Sequence, residues 1–138
     1  MLSISKLSRS EWSGLSENVH KYSFGVERPP DMDRIDYALV VRKDEEELCG
    51  YATIIELDAE SAYMQHGGNF EASRGSTLTL KTYLSIIEFL SRNYKNVSTR
   101  IFNQNRAMIK LALTAGFLIC GVDVSREGKV YLVLELEH

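Results

Sequence analysis

The segment from Asn105 to Phe117 constrains the fold more than any other part of the chain, because it carries a signal at each end of one short helix. The side chain of Asn105 is a good acceptor for the first free backbone N–H groups of a helix. The apolar residues that follow recur at helical spacing: Met108, Leu111, Ala112 and Ala115. Gly116 is the residue type that most easily ends a helix in the left-handed conformation. The pattern predicts a helix over residues 105–115 that leads directly into a strand.

Composition places the chain among globular proteins and predicts a single domain. Of its 138 residues, 44% are hydrophobic and 25% are charged, and a chain of this length buries roughly two thirds of its unfolded surface. The formal net charge of −3 gives no general attraction to nucleic acid or anionic lipid. No apolar run approaches the ~20 residues of a membrane-spanning helix, so neither nucleic acid nor a membrane is an expected partner.

The cysteines and histidines exclude two other classes of site. Cys49 and Cys120 lie in strand-like runs, and two cysteines do not form a disulfide framework, so both are expected to be reduced and buried in a cytoplasmic protein. The spacing of the histidines and cysteines matches no metal-ligand pattern, and no metal site is predicted. The ending Leu136-Glu137-His138 resembles the remnant of a purification tag, so the domain is expected to span residues 1–135.

Apolar periodicity along the chain predicts the order β-α-loop-β-β-β-α-β-α-β-β. The predicted strands cover residues 2–7, 37–42, 48–57, 62–66, 97–102, 118–123 and 130–135. One helix follows the capping-box spacing of Ser8 and Glu11, and a long one covers residues 75–92. The residues expected to face the sheet from the long helix are Leu80, Tyr83, Leu84, Ile87 and Leu90, broadened by Ile86 and Phe89. Strands followed by alternating helices and strands imply a mixed sheet with helices on its faces.

This order resembles the GNAT acyltransferase superfamily across essentially the whole chain, and the segment from Asn105 to Phe117 resembles the second signature of that family. The resemblance implies an α/β (α+β) fold with a mixed, mostly antiparallel central sheet flanked by helices. It also implies an N-acyltransferase that moves an acetyl group from acetyl-coenzyme A to a small-molecule or peptide amine, and it allows a homodimer. In family members the asparagine that corresponds to Asn105 contacts the pantetheine or phosphate arm of the coenzyme.

The turn into the long helix is where family members bind the pyrophosphate of acyl-coenzyme A. The start of a helix presents free N–H groups and a partial positive charge to a phosphate. Gly75 matches the fourth place of the family pattern, whereas the first and sixth places differ from it. The residues implied to hold the coenzyme here are Arg74, Gly75, Ser76 and Thr77. An ordinary helix start explains the same turn equally well.

The candidate catalytic residues lie in and near the predicted strand over residues 62–66. They are His66, Gln65 and Glu60. An imidazole, with a reference pKa of about 6.5, suits proton abstraction from an ammonium group, although a hydrogen-bonded structural histidine fits the position as well. Alternation along the strand predicts that Met64 and His66 share one face of the sheet and that Gln65 lies on the other. The pair Gly67-Gly68 is expected either to bend this strand beside the pantetheine or to reverse the chain.

One element of the family site is missing from the sequence. The tyrosine that often serves as the acid toward the coenzyme thiolate would fall at Ala112. A thiolate has a moderate pKa and does not strictly need a side-chain acid, so acyl transfer stays open. The alternative is a non-catalytic GNAT-like binding or assembly module, of the kind that a likeness to small phage-encoded proteins suggests.

Overall fold

The computed structural model describes residues 1–15, 35–69 and 77–136. The described residues form seven strands: β1 (Leu2–Ser8), β2 (Tyr37–Lys43), β3 (Glu47–Asp58), β4 (Ser61–Asn69), β5 (Asn96–Phe102), β6 (Phe117–Val124) and β7 (Val130–Leu136). The helices are α1 (residues 9–15, where the described segment ends), α2 (Thr77–Asn93) and α3 (Arg106–Ala115). The predicted order of strands and helices is confirmed. Most of the predicted loop after α1 lies outside the described residues.

The strands form one sheet in the order β1-β2-β3-β4-β5-β7-β6. Every neighbouring pair is antiparallel except β4 and β5, which are parallel. A parallel pair needs a crossover connection, and α2 lies in the segment that provides it. The predicted fold class, a mixed and mostly antiparallel sheet flanked by helices, is therefore confirmed.

The two faces of the sheet bury separate apolar clusters. The larger cluster packs α2 and α3 on one face, where Leu39 and Ile54 meet Leu90 of α2 and Ala112 of α3. On the other face, Trp12 of α1 packs with the smaller cluster and stacks on the ring of Tyr51, with centroids 5.1 Å apart. Each face of the sheet thus carries its own buried apolar cluster.

The long helix is rotated relative to the predicted stripe. Its buried residues are Thr82, Tyr83, Ile86, Ile87 and Leu90, whereas Leu84 is 40% exposed. The prediction that Leu84 faces the sheet is therefore wrong. Leu84 lies at the edge of the predicted stripe. Thr82, on the other side of Tyr83 in the sequence, is buried instead of Leu84. This rotation brings the hydroxyl of Thr82 into the interior.

The short helix has the predicted ends and the predicted face. The Oδ1 atom of Asn105 accepts a hydrogen bond from the N–H of Met108 at 3.3 Å. Gly116 has φ of 106°, and its N–H donates to the carbonyls of Ala112 and Leu113. Ala112 is fully buried, and Leu111 packs against the larger cluster. Capping and periodicity alone are sufficient to place this helix.

The cysteine prediction is half right. Neither cysteine forms a disulfide within the described residues, and Cys49 is buried, but Cys120 is exposed. The reason is its place in β6, which is an edge strand whose register shifts between Ile119 and Gly121. Within the described ranges, no helix combines the length and the apolar character needed to cross a membrane.

Candidate functional site

The parallel strands β4 and β5 separate in the middle of the sheet. Their pairing runs from Ser61 and Asn96 to Met64 and Thr99 and ends there. The Thr99 hydroxyl donates to the Met64 carbonyl oxygen at 3.0 Å, which closes the last pair. Both strands continue past this point, β4 to Asn69 and β5 to Phe102. The divergence therefore opens a cleft between the two strands beyond the last pair, Met64 and Thr99.

Five elements, β3, β4, β5, α2 and α3, contribute residues to this cleft, which has a volume of about 150 Å³. Residues 65–68 of β4 and residues 100–102 of β5 form its two edges. The side chains of Thr82, Tyr83 and Ile86 contribute from α2. Asn105 lies at its rim because a tight turn, in which the Asn105 N–H donates to the Phe102 carbonyl at 2.8 Å, starts α3 directly after β5.

A β-bulge in β4 sets the direction of the side chains at the cleft. Thr53 pairs with His66, but Ile54 pairs with Met64, so Gln65 is the extra residue. Paired residues share a face and consecutive residues of β3 alternate, so Met64 and His66 lie on opposite faces. The prediction that they share a face is wrong, because the bulge resets the alternation that the prediction assumed.

Thr53 binds both residues of the bulge. Its hydroxyl, which is fully buried, donates to the Oε1 atom of Gln65 at 3.3 Å. The same oxygen accepts the backbone N–H of His66 at 3.1 Å. Gln65 and His66 both line the cleft, so two of the three candidate catalytic residues lie together and are held by one threonine.

The third candidate, Glu60, lies elsewhere. It is exposed in the turn before β4, where its carbonyl accepts the N–H of Asn96. At ~3.3 Å per residue, the length of β4 puts it roughly 20 Å from His66. Glu60 does not line the cleft. No aspartate or glutamate is among the described lining residues, so among them only His66 has a side chain suited to act as a base near neutral pH.

The predicted phosphate turn is mostly beyond what the structure describes. Arg74, Gly75 and Ser76 lie outside the described residues, and Thr77 is the first residue of α2. Their role stays a prediction. In the parts of the chain that are described, no group of three histidine, cysteine or acidic residues is arranged to hold a metal.

Two cleft residues on α2 were not identified as site residues from the sequence. Thr82 is 1% exposed and Tyr83 is 5% exposed, and the Oγ1 and Oη atoms have no hydrogen-bond partner among the described residues. Burial raises the pKa of Tyr83, so the phenol stays protonated at neutral pH. Tyr83 was on the predicted apolar stripe, but only its burial shows that its hydroxyl requires a partner, and nothing in the sequence marked Thr82.

Arg100 lines the cleft from β5. Its guanidinium pairs with the carboxylate of Asp123 at 2.9 Å and lies over the ring of Tyr131 at 3.9 Å from the centroid. Its Nε atom is buried and has no partner within the described part of the chain. The Asp123 carboxylate partly neutralises the guanidinium. The ion pair and the ring contact together hold the Arg100 side chain in place.

The strand order and the divergence of β4 and β5 together define the GNAT fold. No protein-family model matches the sequence, nor does the sequence of any curated protein. Solved structures of acetyltransferases do match in fold, at identities that establish the fold alone.

Three of these structures are similar over nearly the whole chain. The ribosomal-protein-S18-alanine N-acetyltransferase of Escherichia coli has a TM-score of 0.73 and 14% identity, with 99% of this chain and 93% of that chain covered. The IAA acetyltransferase of Bacillus cereus has a TM-score of 0.76 and 13% identity, with 100% of both chains covered. A variant of the spermidine N-acetyltransferase of Vibrio cholerae has a TM-score of 0.72 and 14% identity, with 98% and 92% covered. The resemblance inferred from the sequence is therefore confirmed at the level of fold.

Proposed function

We propose that the protein is an N-acyltransferase that moves an acyl group, acetyl in the simplest case, from acyl-coenzyme A to an amine. The observation that carries this proposal is the divergence of β4 and β5 beyond Met64 and Thr99, with a polar-lined cleft between them. The names of the E. coli and V. cholerae structures, both N-acetyltransferases, support it. We further propose that it acts in the cytoplasm, where acyl-coenzyme A is made and where free thiols persist.

In this proposal the cleft binds the pantetheine arm of acyl-coenzyme A. That arm is an extended chain with two amides, and an extended chain binds well beside an open strand edge. Residues 65–68 of β4 have β3 on one side and the cleft on the other, which provides such an edge. The hydroxyls of Thr82 and Tyr83 supply polar groups that the described residues do not satisfy.

The outer part of the coenzyme would be held at the rim. Asn105 uses its side-chain oxygen to cap α3, so its amide N–H groups are the part suited to bind the arm. By the same resemblance, the phosphates would bind the backbone N–H groups from Arg74 to Thr77. This second part rests on the sequence pattern.

The transfer itself needs a bound amine, an electrophilic thioester and a base. The amine nitrogen attacks the thioester carbon, a C–N bond forms, and the C–S bond breaks with its electron pair on sulfur. A backbone N–H of β4 within residues 65–68 would stabilise the charge on the carbonyl oxygen. His66, directly or through water, would take the proton that the nitrogen loses, and Gln65 would orient the acceptor.

A non-catalytic binding or assembly module is the second candidate. The observation that favours it is Ala112, which is fully buried and leaves α3 without the phenol that the family resemblance implies. Such a module would keep the fold and the cleft but not turn over a thioester. The phage setting stays a prediction from the sequence.

Calorimetry followed by a turnover assay separates these functions. Acetyl-coenzyme A is titrated into the protein, with coenzyme A as a second ligand and adenosine 3′,5′-bisphosphate as a control that lacks the arm. Thiol release is then measured with a panel of amino acids, peptides, aromatic amines and polyamines. Binding with amine-dependent release supports the enzyme. Binding without release across the panel favours the module, and absence of binding contradicts the coenzyme site altogether.

A further inference from the structure

Tyr83 is a buried tyrosine that lines the cleft, and its hydroxyl has no hydrogen-bond partner among the described residues. The side chain is 5% exposed, and its Oη atom finds no hydrogen bond among the described residues. Leaving a buried hydroxyl unsatisfied costs stability, and natural folds do so rarely. A ligand in the cleft is therefore the natural partner of this hydroxyl.

The other buried phenols of this face behave differently. Tyr37 and Tyr94 are buried in the same cluster as Tyr83, and their hydroxyls bond to each other at 2.7 Å. Neither lines the cleft. The two tyrosine hydroxyls of this cluster that lie away from the cleft are thus hydrogen-bonded. The hydroxyl of Tyr83, which lines the cleft, has no partner among the described residues.

The position of Tyr83 points to one part of the ligand. Tyr83 lines the cleft together with Met64 and Thr99, the last pair before the strands diverge, and with Gln65 and His66. Ala112, where the family tyrosine would fall, belongs to the same buried cluster as Tyr83, and α2 packs against α3. The two helices thus pack side by side on this face, and Tyr83 is the phenol of α2 that lines the cleft.

We propose that the Oη–H of Tyr83 donates a hydrogen bond to the coenzyme sulfur as it leaves, supplying from α2 the phenol that is absent at Ala112. This inference rests on the proposed acyl transfer. In that step the amine nitrogen forms the new C–N bond, and the breaking C–S bond leaves its electron pair on sulfur. The thiolate accepts the hydrogen bond from Tyr83, and solvent protonates it after release.

The state of the phenol fits donation rather than full proton transfer. Burial raises the pKa of Tyr83, whereas a thiol has a pKa of about 8.5. The phenol therefore keeps its proton and stabilises the thiolate as a donor.

The test measures the pKa of the thiol of bound coenzyme A through the ultraviolet absorbance of the thiolate. In Tyr83→Phe, this pKa should rise by about one unit, and kcat should fall about 10- to 100-fold. The dissociation constant of coenzyme A should change less than about threefold, because the ring and its packing remain. The melting temperature should be unchanged or higher, since the variant removes an unsatisfied buried hydroxyl.

Tyr94→Phe is the matched control. It also removes one hydroxyl from a buried ring, but that hydroxyl is bonded to Tyr37 outside the cleft. We expect a lower melting temperature with unchanged thiol pKa and kcat. Tyr83→Phe should therefore change the thiol pKa and kcat without lowering the melting temperature, whereas Tyr94→Phe should lower the melting temperature alone.

Three outcomes would overturn the inference. If Tyr83→Phe weakens coenzyme A binding while the thiol pKa stays constant, the hydroxyl contacts the arm and not the sulfur. If thiol pKa, affinity and kcat are all unchanged, the hydroxyl has no ligand role. If the unmodified protein does not bind coenzyme A, the proposed function fails with the inference. A protein that binds the coenzyme without transferring an acyl group still answers the question, because the thiol pKa needs no turnover.

Discussion

The hydroxyl of Thr53 on β3 accepts the backbone N–H of His66 on β4 at 3.1 Å. The same hydroxyl donates to the side chain of Gln65 at 3.3 Å. One buried side chain therefore fixes both residues of the bulge at the edge of the cleft.

We expect Thr53→Val to lower both stability and activity. Valine has the same shape but cannot accept the His66 N–H, and an unsatisfied buried donor costs about 1–3 kcal/mol. Freed from Thr53, the bulge should lose its geometry, and kcat should fall on the order of tenfold. Thr82→Val is the control for stability, since the Thr82 hydroxyl has no partner in the described residues and its removal should not lower the melting temperature. Equal destabilisation of both variants would contradict this view of Thr53.

The candidate base can be tested against a candidate that the structure separates from it. His66→Gln should lower kcat on the order of 10²-fold, because no carboxylate among the described lining residues replaces the imidazole. Glu60→Gln should leave kcat unchanged, since Glu60 is exposed at the far end of β4. Steady-state thiol release on both variants is the measurement. A large loss in Glu60→Gln would show that the site includes the other end of the strand.

The sequence predicted best what local interactions decide. The caps at Asn105 and Gly116 and the apolar face of α3 depend on residues within one helix, and all three were predicted correctly. The order of strands followed from periodicity, and the sheet then had few arrangements available.

The errors arose where distant contacts decide. The bulge at Gln65 depends on the register with Thr53 and Ile54, which no pattern within β4 reveals. The rotation of α2 that exposes Leu84 depends on how the helix fits the sheet. The roles of Thr82 and Tyr83 became visible only when burial showed that their hydroxyls lack a partner among the described residues.

The rotation of α2 has a direct test in stability. Leu84→Gln should change the free energy of unfolding by less than about 0.5 kcal/mol, because surface substitutions rarely do more. Ile87→Ala should cost about 2–5 kcal/mol, since Ile87 is 5% exposed in the larger cluster. Urea unfolding of the two variants compares them directly. If Leu84→Gln costs as much stability as Ile87→Ala, Leu84 faces the sheet as the periodicity predicted.

The hydrogen-bonded pair Tyr37 and Tyr94 predicts how stability depends on pH. Burial is the main cause that raises both pKa values above the ordinary value of 10.0, and the hydrogen bond from one to the other adds to the rise at Tyr37. In the unfolded chain both phenols ionise around pH 10, whereas in the folded protein they ionise at higher pH. Their contribution is therefore fully present below about pH 10 and is lost as the pH rises above it.

Unfolding free energies measured from pH 8 to pH 11 should fall on the alkaline side. The fall should be shallower in a variant that combines Tyr37→Phe with Tyr94→Phe, because it lacks the two groups. Tyr131→Phe is the control, since Tyr131 lies in β7 outside this pair. If the double variant and the unmodified protein fall in parallel, other groups cause the alkaline loss.

Installing the missing phenol tests how the two helices share the site. Ala112 is fully buried in the larger cluster, so Ala112→Tyr should overpack the core and cost about 1–3 kcal/mol. Because Tyr83 already supplies a phenol in our proposal, the new ring should not raise kcat.

In the background of Tyr83→Phe the same change should restore part of the lost kcat, if the ring reaches the sulfur. Ala112→Val separates overpacking from phenol chemistry, since it adds volume without a hydroxyl. Melting temperatures and thiol release on the single and double variants give the answer. A rise in kcat for Ala112→Tyr alone would mean that the departing thiolate lacks a donor in the natural protein, and the role assigned to Tyr83 would then be wrong.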